Sequence, residues 1–312
     1  MKAMLLERYG EPLVPVERPD PEPGHGEVVI AVRRCGICGT DLKITSGQLD
    51  GITSVPLIPG HEIAGEVVDV GPGVSQKLLG TRCGIYFYLP CGDCPQCRQG
   101  HQNVCEGVRR LGFETDGGYA QLVVAPAYSV CPLASDVSFS QGAVATDAML
   151  TPYHALYSVA HLAPQERVLI LGAGGLGLHG VQLAVLTGAR VAVCDIKAAS
   201  REAALAAGAE IAVEAGELSQ AMAEWTRGAG VQVILDGVGM PTLTAESFKS
   251  LARRGRLVVM GYDPAAAVPL PALGAHYTEW QVLGTRLGTK EELRSIYDPL
   301  ARGLYGTLRK TS

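Results

Sequence analysis

The alternation of apolar and polar positions changes character once along this chain. Over roughly the first 130 residues, short apolar runs stand between glycine and proline punctuation: VVIAVRRCGI (28–37), EIAGEVVDVGPGV (62–74), TRCGIYFY (81–88) and YAQLVVAPA (119–127). Their β-branched and aromatic content predicts short strands joined by turns. From about residue 138 the texture switches. FSQGAVATDAMLTPYHALYSVA is alanine-rich with helical apolar spacing, and Pro152 is expected to kink or restart that helix. RVLILGAGGLGLHGVQLAVLTGARVAVCDI then runs apolar strand, glycine turn, helix and apolar strand, which is a βαβ unit. The later runs VQVILDGVG, RLVVMGYD and QVLGTRLG alternate with helical stretches. Continuous apolar strands between helices predict a parallel sheet covered on both faces. The fold class is therefore α/β: an irregular β-rich domain over residues 1–137, a doubly wound parallel sheet over 138–285, and a short segment 286–312.

Composition and charge narrow the setting. Of 312 residues, 47% are apolar, 18% charged and 5% aromatic, as in a water-soluble globular protein with room for two cores. A net charge of −5 without a long basic run argues against nucleic acid or a membrane surface as partner. The first twenty residues contain no sustained apolar core, so no signal peptide is expected, and no run is long enough for a membrane span. Nine cysteines in such a chain point to a reducing, cytoplasmic compartment.

Four of those cysteines, Cys91, Cys94, Cys97 and Cys105, fall within fifteen residues, in CGDCPQCRQGHQNVC. Four thiolates at such spacings can close a tetrahedron around one zinc ion, a structural site with no open position (lobe 84–112). Buried free thiols or two disulfides are the alternatives. Gly172, Gly174 and Gly177 satisfy G-x-G-x-x-G, with Gly175 and Leu176 between, at the turn of the βαβ unit. Such a turn brings backbone and helix N-terminus to a pyrophosphate. Asp195 ends the next strand, 23 positions after Gly172, where a carboxylate takes the ribose hydroxyls of NAD and repels the extra phosphate of NADP. Lys197 and Arg201 nearby keep NADP as the lesser alternative. Cys38 and His61 suit a second, catalytic zinc, which keeps one position open; a buried thiol and a core histidine are the bland alternatives.

CGICGTD, PGHEIAGEVVDVG, the four-cysteine lobe and LGAGGLG occur in an order and at distances that resemble the zinc-dependent medium-chain alcohol dehydrogenases, over the chain to about residue 290. The resemblance implies a GroES-like catalytic domain and a Rossmann NAD-binding domain, with the active site in the cleft between them. It implies two zincs per chain, and hydride transfer between NAD and an alcohol, here a secondary alcohol or polyol. Cys38 and His61 match two catalytic zinc ligands. Asp147 stands where the family commonly has a cysteine as the third; a helix-capping carboxylate is the alternative. Glu62 matches the acid beside the histidine, and Thr40 the hydroxyl that bridges the zinc-bound alcohol to the proton relay. Lys43 stands where the family's relay continues to a histidine. Cys35 and His154 read as structural. Tyr86, Leu111 and Leu287 are candidate pocket positions, and edge strands such as QVLGTRLG suggest a homodimer or homotetramer.

The chain ends sooner than that family's members do, so 286–312 reads as a shortened return segment that leaves apolar surface uncovered. This keeps open a rival reading, a catalytically impaired zinc- and nucleotide-binding protein. Zinc-free quinone reductases of the same fold lack the cysteine lobe and the Cys–His pair. A zinc-ribbon nucleic-acid binder conflicts with the acidic charge and the complete βαβ unit.

Overall fold

The computed structural model describes residues 1–268 and 270–303. Two compact units emerge: Met1–Leu150 together with the stretch that begins at Thr289, and Thr151–Gly288.

The first unit is built on a five-stranded antiparallel sheet. Its strands lie in the order Leu122–Pro126, Glu27–Gly36, Glu62–Val70, Arg82–Ile85, Val130–Pro132. Register shifts at Val29/Ile30 and Val32/Arg34 make the central pairing irregular, and such shifts bend and twist a strand. A hairpin of Lys2–Leu5 with Val14–Glu17 was not expected. Its strands are four residues each and one contains Pro15, so the apolar pattern is short and interrupted. The cysteine lobe leaves and rejoins this unit through the two-residue ladder Tyr88–Leu89 with Arg109–Arg110.

The helix starting at Phe139 is capped by Ser138, whose Oγ accepts from Gln141 N at 3.2 Å while Gln141 Oε1 accepts from Ser138 N at 2.9 Å. It packs on the strands at 27–36, 62–70 and 82–85. This packing moves the unit boundary to Leu150/Thr151, past the expected 137/138. Nor does the helix restart at Pro152. It widens into π-helical turns at Ala145–Met149 and His154–Val159, with Leu150–Tyr153 between. Proline withdraws one N–H, and wide turns can accommodate the altered hydrogen-bond pattern.

The last described helix, Lys290–Ala301, returns to the first unit. Thr289 and Glu292 form its capping box, and Leu293, Ile296, Tyr297 and Leu300 are buried. Tyr297 donates its hydroxyl to Gly142 O at 3.2 Å. The segment expected over 286–312 is thus a docked helix in its described part; residues 304–312 lie outside the described residues.

The second unit is a six-stranded parallel sheet in the order Ile211–Val213, Arg190–Cys194, Arg167–Leu171, Val231–Asp236, Leu251–Val259, Gln281–Gly284. In chain order this is 3-2-1-4-5-6, the Rossmann arrangement, whose switch point lies between the first and fourth strands. Leu169, Leu171, Ile234 and Leu257 are fully buried in its core, each contributing roughly 1.5–3 kcal/mol. The three-residue strand Ile211–Val213 escaped sequence reading because it is too short to show a period.

Candidate metal centres and cofactor loop

In the lobe the sulfurs of Cys91 and Cys97 lie 4.0 Å apart, Cys94 and Cys105 3.9 Å, and Cys91 and Cys105 3.5 Å. A disulfide needs about 2.05 Å, and all nine cysteines are free. Thiolates about 2.3 Å from one zinc stand ~3.8 Å apart, so the cluster fits that ion. The backbone N–H groups of Cys97 and Glu106 draw the Cys94 thiol down to about 6, while burial pushes Cys97 up to about 12, so a metal would have to displace protons from the neighbouring thiols.

The second cluster is assembled from distant segments. Cys38 caps the helix Gly39–Thr45, its sulfur accepting from Thr40 N at 3.5 Å, and Asp41 closes the box by accepting from Cys38 N at 2.8 Å. His61 immediately precedes the strand Glu62–Val70, and Asp147 lies inside the π turn. Asp147 Oδ2 is 3.4 Å from both Cys38 Sγ and His61 Nε2. Donors about 2.0–2.3 Å from a tetrahedral zinc stand ~3.3–3.6 Å apart, so both separations from Asp147 match edges of such a site. With Glu62, all four donor atoms fall within 4.8 Å of one another. Asp147 lies inside the π turn, whose N-cap position is Val144; π turns recur at functional sites, and this one carries the carboxylate.

Charge supports the same fit. Burial opposes the imidazolium of His61, yet bonds to Asp147, Asp41 and Cys38 hold its pKa well above the usual histidine value. Burial, reinforced by Asp147, pushes the Cys38 thiol up. Burial likewise resists ionisation of Asp41, but His61, the Cys38 N–H and the Tyr119 hydroxyl hold its carboxyl below the ordinary range. Buried carboxylates and a thiol converging on one imidazole suit a divalent cation, which would take the place of the shared proton.

The surroundings include residues to which sequence reasoning assigned no role. His61 Nδ1 faces Asp41 Oδ1 at 3.3 Å in a poorly aligned pair. The Phe87 and Phe113 rings lie 5.0 and 5.2 Å from the imidazole. Asp41 belongs to the CGICGTD run, where its place three residues after Cys38 is a capping-box signal. The phenylalanines carry no comparable signal. The Thr40 hydroxyl is 3.6 Å from Cys38 Sγ, and Lys43 lies on the same helix. Cys35 is outside the donor set, its sulfur 3.7 Å from Gly36 O and its pKa raised by burial. His154 sits in the second unit's π turn, outside the cluster. Tyr86, Leu111 and Leu287 are buried.

In the second unit the glycine turn follows the strand Arg167–Leu171 at the switch point. Gly172 has φ +83°, and a Cβ at Gly177 would meet Gly172 O at 1.8 Å, so the turn needs both glycines. Gly174 precedes the helix Gly175–Leu186, which includes Leu176 and starts with open N–H groups. Asp195 Oδ2 accepts from Ala173 N at 2.7 Å and Oδ1 from Lys197 N at 2.8 Å. Lys197 is exposed, and Arg201 pairs with Glu214 at 2.8 Å. Asp236, fully buried at the end of the neighbouring strand, accepts from Val238 and Gly239 N–H groups, both at 2.9 Å.

Residues 24–135 match the alcohol dehydrogenase GroES-like domain family, and 175–302 the zinc-binding dehydrogenase family. An alcohol dehydrogenase of Geobacillus stearothermophilus is 33% identical, over 99% of this chain and 91% of its own. An NAD-dependent alcohol dehydrogenase of Sulfolobus acidocaldarius is 32% identical, over 97% and 90%. The cobalt- and zinc-bound thermostable alcohol dehydrogenase of Pyrobaculum aerophilum superposes with a TM-score of 0.87 at 30% identity, covering 98% of this chain and 90% of that one. No helix among the described residues is long and apolar enough to cross a membrane. With two clusters of candidate metal donors, a Rossmann glycine turn and relatives matched over nearly the whole chain, this protein belongs to the zinc-dependent medium-chain alcohol dehydrogenases and uses zinc and NAD to oxidise alcohols.

Proposed function

We propose that Cys38, His61 and Asp147 hold the reactive zinc, that the four cysteines hold a structural one, and that the substrate is a secondary alcohol or polyol. The observation that carries the reading is the convergence of sulfur and imidazole nitrogen on Asp147 Oδ2, each at 3.4 Å. When bound, zinc supplies Lewis-acid polarisation of the substrate oxygen and NAD supplies the hydride acceptor. The protein's side chains do the rest. Asp41 orients His61, and Phe87 and Phe113 keep water from that ring. The Thr40 hydroxyl, beside Cys38, would accept the alcohol's hydrogen bond and pass its own proton on to solvent water. Glu62, buried next to His61, adds negative charge that tempers the metal.

Gly172, Gly174, Gly175, Leu176 and Gly177 present backbone to the pyrophosphate. Asp195 receives the ribose hydroxyls, which favours NAD over NADP. The enzyme works in the cytoplasm as a homodimer or homotetramer. The sheet edge Gln281–Gly284, with Val282 exposed, is a surface for that assembly. Zinc counting on Asp147→Ala tests the ligand set. Two zincs per chain should fall to one and NAD-linked alcohol oxidation should vanish; two zincs unchanged reject Asp147 as a ligand.

A further inference from the structure

The Cys38 turn and the His61 turn are separate stretches of backbone, and Tyr119 ties them together. Its hydroxyl donates to Asp41 Oδ2 at 2.8 Å and lies 3.3 Å from Gly36 O. Its ring covers Gly60, which has φ +93° and where an added Cβ would fall 2.5 Å from the ring. The main chain continues the tie: Tyr119 N donates to Pro59 O at 3.0 Å, and Gly118 N to Gly60 O at 2.7 Å. Asp41 sits at the crossing. Its Oδ2 accepts from both Tyr119 and the Cys38 N–H, leaving Oδ1 3.3 Å from His61 Nδ1, close to that ring but not aligned with it as a hydrogen bond.

We propose that Tyr119 is a positioning residue for the catalytic metal centre, acting through Asp41 to set the orientation and tautomer of His61. A histidine whose Nδ1–H faces a carboxylate turns the lone pair of Nε2 to the metal. That carboxylate serves only while its plane is fixed. Two donors on one oxygen fix it, and only one of them is a side chain that can be altered without moving the backbone. The role rests on the reading of Cys38, His61 and Asp147 as ligands.

Tyr119→Phe keeps the ring on Gly60 and removes only the hydroxyl. In chelator competition on the full-length protein, zinc at the catalytic site is expected to bind about tenfold more weakly, while the lobe zinc is held as before. With cobalt(II) in the catalytic site, the visible absorption bands should shift. Asp41→Asn should weaken binding further, and the double variant should be no worse than Asp41→Asn alone, because both act along one path. Wild-type affinity and spectrum in Tyr119→Phe, or additive losses in the double variant, would overturn the proposal. So would a variant that melts early yet binds metal normally, since that marks mere packing. Asp147→Ala separates the two levels. If it loses a zinc while Tyr119→Phe changes nothing, only the Tyr119 role falls; if it retains both zincs, the ligand set itself fails.

Discussion

In the cysteine lobe four donors lie within fifteen residues of chain, whereas in the buried centre Asp147 is 109 residues from Cys38 and 86 from His61. The lobe carries its geometry in its own turns and needs little from the rest of the fold. Two of its sulfurs are half-exposed or exposed, and its base is a ladder two residues long. The buried centre exists only once the sheet strands, the helix at Phe139 and the π turn have packed. Local encoding suits a closed site that holds a loop; long-range encoding suits an open one whose donors must be held by a rigid frame.

The sharpest way to break this contrast is to remove one donor from each. His61→Ala should lower kcat/KM on the order of a thousandfold or more, ~4 kcal/mol of transition-state stabilisation, in the protein that still folds, although Asp41 and Asp147 lose a buried partner. Cys97→Ser should do the reverse, lowering the melting temperature by about 10 °C while the folded fraction keeps most of its turnover. Calorimetry and steady-state rates on both variants decide; a Cys97→Ser enzyme that is folded but dead would erase the division of labour.

Asp195 extends the comparison to a site encoded within one βαβ unit. Asp195→Ser should raise the KM for NAD about 10- to 100-fold, the worth of charged hydrogen bonds, and improve use of NADP. Equal NAD kinetics in the variant would remove Asp195 from the cofactor site. The smallest effect belongs to a pair that builds no site. Arg190 and Glu210 meet at 2.7 Å, with Trp225 Nε1 also donating to Glu210 at 2.8 Å. Both charged side chains are about two-fifths exposed, so Glu210→Gln should cost only ~0.2–1 kcal/mol at neutral pH. Arg190 chiefly, and Trp225, hold the Glu210 carboxyl below its usual range. Its contribution is therefore present above the unfolded value of about 4.3 and lost as pH falls through the lower folded one. Thermal melts of the two proteins should converge in acid; a gap that survives there would refute the charge pair as its origin.

What the amino-acid sequence disclosed follows the same division. The parallel sheet, the glycine turn and the cysteine lobe were legible because their signals are contiguous: apolar runs, fixed glycine spacing, clustered thiols. Cys38 and His61 were legible as candidates from residue type, but no spacing joins either to Asp147; only the family pattern did. Asp41 and Tyr119 were invisible as partners because their hydrogen bond spans 78 positions and forms only in the packed unit. The boundary at 137/138 was misplaced for a related reason. Periodicity shows that residues 139–144 are helical, but not which sheet their apolar face will meet.

The helix Lys290–Ala301 belongs to the unit that the chain begins, so the whole second unit is an insertion within the first. On the ribosome, residues 1–150 emerge with the metal donors in hand but without the helix that seats Tyr297 against Gly142. The inserted sheet can fold by itself while the first unit waits. The frame that brings Cys38, His61 and Asp147 together is therefore among the last parts of the molecule to be secured.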